Sequence, residues 1–266
     1  MDENKLPEKG CLLVKDEKIE YVGPYLNTLK YDSSFDCRGG ILMPSFINAH
    51  GHAPTILFRC KGDGLPRNQW LFDYIFPMEK LICAKDVYWA TMLALAEQAS
   101  CGITSASDIY FFSEEIVKAA LDSGCKMNIA LNIAGNDLEQ AQERLAQSEV
   151  LYDTYHKSGG GRVRIDASFH AEYTTCSEIC RQVIDFAQKY KILLHTHIVE
   201  TQADRFTCIE RRGVTLIDYF DKLGLFSIPT LLAHGVYLDY EEIEILARKN
   251  QVTIAHCPVR TCLKSF

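Results

Sequence analysis

The sequence predicts an α/β protein built on a barrel of parallel strands. From residue 41 onward, short apolar runs rich in β-branched residues alternate with amphipathic helical stretches, which is the pattern of repeated βα units. The run at residues 192–194 is continuously apolar, as expected of a strand that is buried on both faces. Histidines recur where these runs end, and a barrel brings the carboxyl ends of its strands to one mouth.

Seven strands are predicted in the region 41–266, at residues 41–49, 103–109, 126–134, 163–169, 192–199, 229–236 and 252–256. A closed (β/α)8 barrel has eight βα units, so we expect this region to lack the eighth unit. The segment from His256 to Phe266 stops directly after a strand. This indicates a chain that is cut short at its C-terminus.

The region 1–40 differs from the rest because it contains no helical pattern of any length. Two short strand-like runs, at residues 11–14 and 19–22, are separated by Lys15 and Asp16. A β unit of this size buries little apolar surface by itself, so it is expected to need strands from elsewhere. The predicted organisation is therefore a small β appendage at 1–40 and an incomplete barrel at 41–266.

Composition and charge exclude several classes of protein. The chain is 47% hydrophobic and 24% charged, which is typical of a globular protein. Its net charge of -7 argues against nucleic acid or an anionic membrane as a partner. The polar stretch 2–10 is unlike a signal peptide, and no apolar window approaches the ~18 residues of a membrane span. We expect a cytoplasmic protein that binds a small molecule.

The eleven cysteines are scattered, odd in number and without a CxxC pair, so a disulfide scaffold is not expected. Free cysteine packs like a small hydrophobic residue, which predicts mostly buried thiols. Cys176 and Cys180 lie four residues apart on a predicted helix and share a face. A metal bound by this pair is the alternative interpretation.

The first candidate site is the sequence Asn-Ala-His-Gly-His-Ala-Pro at residues 48–54. In extended backbone His50 and His52 point to the same side and can share one metal ion. The alternative is that they are two unrelated loop histidines. Asp108, at the end of the second predicted strand, is interpreted as a structural hydrogen-bond acceptor that supports the mouth, and a ligand role is the alternative.

The second candidate site lies at the end of the fifth predicted strand. His197 is followed three residues later by Glu200, which suits a metal ligand and a proton shuttle, although a buried histidine beside a glutamate is also a common core pair. His170, His234 and His256 end the fourth, sixth and seventh predicted strands. Because these strand ends converge in a barrel, the recurrence favours one shared metal site.

Taken together, these segments resemble the amidohydrolase superfamily, in particular the branch of S-adenosylhomocysteine and 5-methylthioadenosine deaminases and related chlorohydrolases. The resemblance spans nearly the whole chain and rests on residues 43–54, 70–79, 195–201, 233–235 and 256–258. It implies a distorted (β/α)8 metallo-hydrolase barrel joined to a small β-sandwich made from both termini. The region 1–40 would supply part of that sandwich.

The resemblance also implies a metal centre. Its ion would be zinc or another divalent transition metal such as Fe2+, held by His50, His52 and His197. Glu200 would protonate the ring nitrogen of the substrate, and His234 would orient the attacking hydroxide. Neutral imidazole is a suitable ligand for zinc.

Substrate contacts are implied for Glu79, His170, Glu200 and His256, which favours a nucleoside-like substrate or another amino-substituted heterocycle. The implied reaction is metal-dependent hydrolysis of a C–N bond other than a peptide bond, most directly hydrolytic deamination. The same fold and ligands also suit hydrolysis of a halide or an amide. The resemblance is compatible with a homo-oligomer.

Three features depart from the family pattern. The sequence begins where family members have already formed a first β-strand, so its N-terminus is expected to be short as well. The family supplies an aspartate from the eighth strand as metal ligand and base, and that strand has no counterpart before Phe266. Arg260 and Thr261 stand where a small polar residue and an asparagine usually follow the motif at residues 256–258. A truncated and catalytically inactive relative is therefore the alternative to an active deaminase.

Overall fold

The computed structural model describes residues 8–258. Arg260 and Thr261, which depart from the family pattern, lie outside the described residues. The chain divides into two compact units, Met1–Pro44 and Ser45–Phe266.

The first unit contains a β-hairpin. Strand β1 (Cys11–Lys15) pairs antiparallel with β2 (Lys18–Gly23), with an irregularity between Leu13 and Val14. Asp16 and Glu17 form the turn with φ of 48° and 64°, a geometry that matches the twist of two-residue hairpins. The two predicted strands are confirmed. Their membership of a β-sandwich stays a prediction.

The second unit contains the parallel strands. They are β3 (Phe46–Gly51), β4 (Ile103–Tyr110), β5 (Lys126–Leu131), β6 (Val163–Ile165), β7 (Ala167–Ser168), β8 (Leu194–Ile198), β9 (Thr230–His234) and β10 (Val252–Ala255). They form two four-stranded sheets, β3-β4-β5-β6 and β7-β8-β9-β10. This succession of neighbouring parallel strands is that of a partial (β/α) barrel, as predicted. Within the described residues, β3 and β10 pair on one edge only.

The fourth predicted strand is divided into β6 and β7 at Asp166. The backbone N–H of Asp166 donates to the carbonyl of Ile129 on β5, whereas that of Ala167 donates to Leu193 beside β8, each at 2.9 Å. A parallel bridge between Ile133 and Phe169 links the two sheets farther along. The division therefore lies inside one continuous succession of strands.

The first barrel strand begins at Phe46, so the prediction that it begins at residue 41 is wrong in its start. Residues 41–45 form no strand. Pro44 lies two residues before Phe46 and has no backbone N–H to donate to a neighbouring strand. The apolar character of residues 41–43 is not sufficient to add them to the sheet.

Helical segments connect the strands. The α-helices are α1 (Arg67–Gln69), α2 (Phe76–Glu79), α3 (Ala84–Ser100), α4 (Ser113–Ser123), α5 (Leu138–Tyr155), α6 (Ser158–Gly161, an irregular turn), α7 (Ser177–Tyr190), α8 (Gln202–Arg212), α9 (Leu216–Lys222) and α10 (Tyr240–Ala247). A π-helix (Trp70–Ile75) joins α1 to α2. In the described part of the chain, none of these helices combines the length and apolarity that crossing a membrane requires.

Two apolar cores hold the helices against the strands. One includes Phe169 and Phe220, whose ring centroids lie 5.5 Å apart, and the other includes Ile116 on α4 and Met127 on β5. Burial of each such side chain stabilises the fold by roughly 1.5–3 kcal/mol. The two cores fix the strands whose ends form the mouth.

The cysteines do not follow the prediction of mostly buried thiols. Among the described residues, Cys180 and Cys208 are buried, and four are exposed: Cys37, Cys60, Cys83 and Cys101. Cys83 and Cys101 flank helix α3, where chain ends meet solvent and a small side chain is not drawn inside. Burial raises the pKa of Cys180 to about 12, so this thiol stays protonated.

Asp166 is expected to make stability depend on pH. Its side chain is buried and accepts a 2.6 Å hydrogen bond from Nδ2 of Asn128, and burial raises its pKa to about 7. In the unfolded chain an aspartate ionises near pH 4, so the free energy of unfolding falls as pH rises from about 4 to about 7. We expect Asp166→Asn to remove this fall, which amounts to roughly 4 kcal/mol.

Urea denaturation of wild type and Asp166→Asn at pH 4.5 and pH 8 measures the effect. The variant should be more stable than wild type at pH 8, with little difference at the lower pH. Asp185→Asn, on the exposed face of α7, is the matched control and should leave the pH dependence unchanged. If Asp166→Asn changes the free energy of unfolding by the same amount at both pH values, the buried-acid explanation is contradicted.

Candidate functional site

The carboxyl ends of the strands open into one cavity of about 960 Å³. All eight predicted site residues line it: His50, His52, Glu79, His170, His197, Glu200, His234 and His256. They come from distant parts of the sequence. The parallel strands bring them together because the carboxyl ends of the strands face the same side of the partial barrel. Such a cavity is large enough for a small organic ligand.

Three histidines form a compact group at the base of this cavity. One ring nitrogen each of His50, His52 and His197 lies within 4.8 Å of the others. The Nδ1–H of His52 donates to the carbonyl of Ile109 and that of His197 donates to the carbonyl of His170, each at 2.7 Å. These bonds orient both rings and leave their Nε2 atoms as acceptors.

The two Nε2 atoms, of His52 and His197, face each other at 3.1 Å. Burial lowers the pKa of His50 and His197 well below the ordinary histidine value, reinforced by the neighbouring histidines, so these rings stay neutral. The lone pair on Nε2 of His197 then points toward Nε2 of His52. A zinc ion with Zn–N bonds of 2.0–2.1 Å holds tetrahedral nitrogens about 3.3 Å apart, so the donor set fits zinc.

His195 supports this group from behind. Its Nε2 lies 2.9 Å from Nδ1 of His50, and its Nδ1 lies 3.1 Å from Oγ of Ser107. Burial lowers the pKa of His195 to about 3, so it acts as a neutral link that orients His50. The sequence analysis gave this residue no role. The available signal was its spacing of two from His197 on β8, which places both rings on one face.

Asp108 supports the loop between the first two histidines. Its side chain is buried, and Oδ2 accepts a 2.5 Å hydrogen bond from the backbone N–H of Ala53. The predicted role as a hydrogen-bond acceptor is confirmed. A β-carbon on Gly51 would lie 3.1 Å from Nδ2 of Asn48. A larger residue between His50 and His52 would therefore crowd the side chain of Asn48.

Glu200 is held by an arginine that the sequence analysis missed. Nη1 of Arg67 donates to Oε2 of Glu200 at 3.0 Å, and the same guanidinium binds both carboxylate oxygens of Asp204 at 2.9 and 3.1 Å. The side chains of Arg67 and Glu200 are only 7% and 11% exposed. The guanidinium carbon of Arg67 lies over the ring of Tyr173, 5.2 Å from the ring centroid. No local pattern connects Arg67 with Glu200, because they are far apart in sequence.

The remaining candidate residues surround the histidine group. Burial raises the pKa of Glu79, and a hydrogen bond with Tyr110 partly offsets this. Burial lowers the pKa of His170 to about 4, and its Nδ1 lies 2.8 Å from Oγ1 of Thr174. His256 is exposed on the cavity wall. The wall therefore places the carboxyl group of Glu79 and the neutral imidazole of His170 in the same cavity.

His234 has an unusual backbone. It ends β9 with φ of 80°, a left-handed conformation that is uncommon for residues other than glycine and often marks functional sites. The residue is 5% exposed, and its ring stacks on that of His197 with centroids 5.4 Å apart. This conformation presents the imidazole to the cavity instead of continuing the strand.

Comparison with known proteins identifies the family. The model of the amidohydrolase family matches residues 41–261. The chain belongs to the amidohydrolase family. A 5-methylthioadenosine/S-adenosylhomocysteine deaminase of Caldanaerobacter subterraneus is 33% identical over 247 residues, covering 92% of this chain and 57% of the relative. A 5'-deoxyadenosine deaminase of Methanobrevibacter smithii is 31% identical, covering 94% of this chain and 58% of the relative.

Solved structures agree with this membership of the amidohydrolase family. An adenosine deaminase from Xanthomonas campestris with bound zinc has a TM-score of 0.79 at 26% identity, covering 84% of this chain and 51% of that one. Atrazine chlorohydrolase from Arthrobacter aurescens, complexed with zinc, has a TM-score of 0.87 at 23% identity, covering 95% and 62%, and supports the fold alone. The chain spans a little over half the length of the curated relatives it matches.

Proposed function

We propose that this amidohydrolase hydrolytically deaminates an adenosine-like nucleoside or another amino-substituted heterocycle. The observation that carries the proposal is the convergence of His50, His52, His197 and Glu200 at the base of one cavity. Relatives named as deaminases of 5-methylthioadenosine, S-adenosylhomocysteine and 5'-deoxyadenosine support this choice of substrate class.

The metal assigned to the site is zinc, held by His50, His52 and His197, with Fe2+ as the alternative ion. Bound zinc lowers the pKa of water and so supplies a hydroxide nucleophile near neutral pH. Zinc binds neutral imidazole, the form in which burial holds His50 and His197.

Glu200 is assigned the proton transfers. Its carboxylate accepts a proton as water adds to the aminated ring carbon and delivers a proton to the adjacent ring nitrogen. The hydroxyl of the adduct then gives its proton to Glu200, which passes it to the amino group. The C–N bond breaks, ammonia leaves, a carbonyl forms on the ring, and the ring nitrogen keeps the first proton. His234, which faces the cavity from β9, orients the attacking hydroxide.

Substrate binding is assigned to Glu79, His170, Glu200 and His256. The carboxyl group of Glu79 can accept hydrogen bonds from sugar hydroxyls, and Trp70 and Phe76 on the same wall offer apolar surface for a heterocycle. The cytoplasmic location and the homo-oligomer stay predictions.

Product analysis tests the substrate class. The full chain, loaded with zinc, is incubated with 5-methylthioadenosine, S-adenosylhomocysteine, a chlorinated triazine and a simple aryl amide. We expect ammonia and the corresponding oxo-purine from the nucleosides. Chloride from the triazine or amine from the amide, without ammonia from either nucleoside, contradicts the proposed reaction and favours the halide or amide alternative.

Zinc is expected to stabilise the folded chain. A ligand present at 100 times its Kd adds about 2.7 kcal/mol, which for a chain of this size raises Tm by roughly 5–10 °C. His197→Asn should lose this zinc-dependent rise because it removes one of three ligands. Differential scanning fluorimetry with and without zinc measures it.

His156→Asn is the matched control for the zinc experiment, since His156 stacks on Tyr152 and does not line the cavity. Its variant should keep the full zinc-dependent rise in Tm. A rise of wild-type size in His197→Asn would contradict the assigned ligand set.

A further inference from the structure

A second set of metal-binding atoms lies beside the three histidines. One nitrogen each of His50 and His234 and the Sγ of Cys257 lie within 4.8 Å of one another. The three residues come from the ends of β3, β9 and β10. His234 is buried and Cys257 is half-buried, and all three line the open cavity. An ion from solvent can therefore reach them.

We propose that Cys257, with His50 and His234, forms a second, sulfur-ligated position for a soft divalent ion in this chain. One thiolate and two imidazoles make a ligand set that suits zinc and softer ions and does not suit magnesium or calcium. Zn–N bonds of 2.0–2.1 Å and a Zn–S bond near 2.3 Å place such ligands about 3.3–3.7 Å apart. The present atoms lie within 4.8 Å of one another, so they need to approach by at most about 1.5 Å to reach these distances.

Binding at this position releases a proton. The Sγ–H of Cys257 donates to the carbonyl of Ala255 at 3.5 Å. On ion binding the S–H bond breaks, a bond from sulfur to the ion forms, and the proton leaves to solvent. The thiol thus changes from a hydrogen-bond donor on the backbone to a ligand, with no oxidant or reductant required.

The two ligand sets share His50. Because Nδ1 of His50 lies 2.9 Å from Nε2 of His195, its other nitrogen is left to bind one ion at a time. The sulfur position and the three-histidine position are therefore alternatives for a single ion. Occupation of the sulfur position also engages His234, so a soft ion that prefers sulfur would leave the three-histidine position empty and inhibit the reaction; this last consequence alone rests on the proposed function.

Cobalt(II) titration of the full chain tests the sulfur position by absorption spectroscopy. Thiolate ligation of cobalt gives an intense near-ultraviolet charge-transfer band, which a site made only of imidazoles lacks. We expect the band in wild type and in His52→Asn, which disrupts only the three-histidine set. Cys257→Ser should lose the band and keep the weaker visible bands of cobalt at the three histidines.

Cys125→Ser is the matched control, because Cys125 is half-buried like Cys257 but does not line the cavity; it should keep the band. Bound cobalt without a thiolate band in wild type would overturn the proposal, as would a band of equal intensity in Cys257→Ser. None of these spectra requires turnover. A chain that shows the band but releases no ammonia would contradict the proposed reaction and leave the sulfur position standing.

Discussion

Replacing Glu200 by glutamine is expected to lower the rate of ammonia release by roughly 10²- to 10⁴-fold, the usual contribution of a general acid or base. The amide keeps the size of the side chain and loses the ability to accept and return a proton. Arg67 keeps its two bonds to Asp204, so the fold around the site should persist. Bound zinc per chain, measured by elemental analysis, should be unchanged.

The matched control for this substitution is Glu210→Gln on the exposed side of helix α8. It makes the same chemical change on the helix that follows Glu200 and should leave the rate within twofold. Retention of wild-type turnover by a zinc-loaded Glu200→Gln variant would contradict the assignment of proton transfer to this carboxylate.

Arg67→Met is expected to lower the free energy of unfolding by about 3–5 kcal/mol. The substitution leaves the carboxylates of Glu200 and Asp204 close together without their shared cation. The side chains of Glu200 and Asp204 are only 11% and 7% exposed, so both carboxylates lie in the interior. An uncompensated buried charge is costly, whereas the intact pair adds much less net stability. Urea denaturation at pH 7.5 measures the difference.

Arg59→Met is the control for burial. Arg59 pairs with Glu97 at 2.6 Å, but the two side chains are 57% and 47% exposed, so the loss should be much smaller than that of Arg67→Met. The double variant Arg67→Met with Glu200→Gln should lose less stability than the sum of the two single losses. The reason is that Glu200→Gln removes one of the two carboxylates that Arg67→Met leaves without a cation. Equal losses for Arg67→Met and Arg59→Met would contradict the role given to burial.

The sequence was sufficient for the order of the strands and for the residues that meet at their ends. Apolar runs alternating with amphipathic stretches define βα units, and the rule that parallel strands end on one side places His50, His197 and His234 together without any coordinates. The hairpin at Cys11–Lys15 and Lys18–Gly23 was predicted for the same local reason: its two runs are separated by a short polar turn.

Features that depend on contacts between distant parts of the chain were not predictable from local patterns. The ion pair of Arg67 with Glu200 joins the first residue of α1 to the loop after β8. The contact of His195 with His50 needs the relative rotation of two strands. Both are set by how the strands and their loops pack around the cavity, which no spacing along the chain records.

Composition alone also does not predict which small residues are buried. Cys83 and Cys101 have an apolar character but lie at the two ends of α3, where position in the helix decides exposure. The start of β3 at Phe46 has a similar origin, because Pro44 interrupts backbone pairing although the residues before it are apolar.

The measurement that tests the central claim most directly is ammonia release from 5-methylthioadenosine by the full chain, before and after removal of metal by a chelator. The account predicts turnover with zinc, loss of turnover on chelation, and recovery when zinc is returned. A chain that is folded and carries one zinc ion, yet releases no ammonia from this or any other amino-substituted heterocycle, would contradict it.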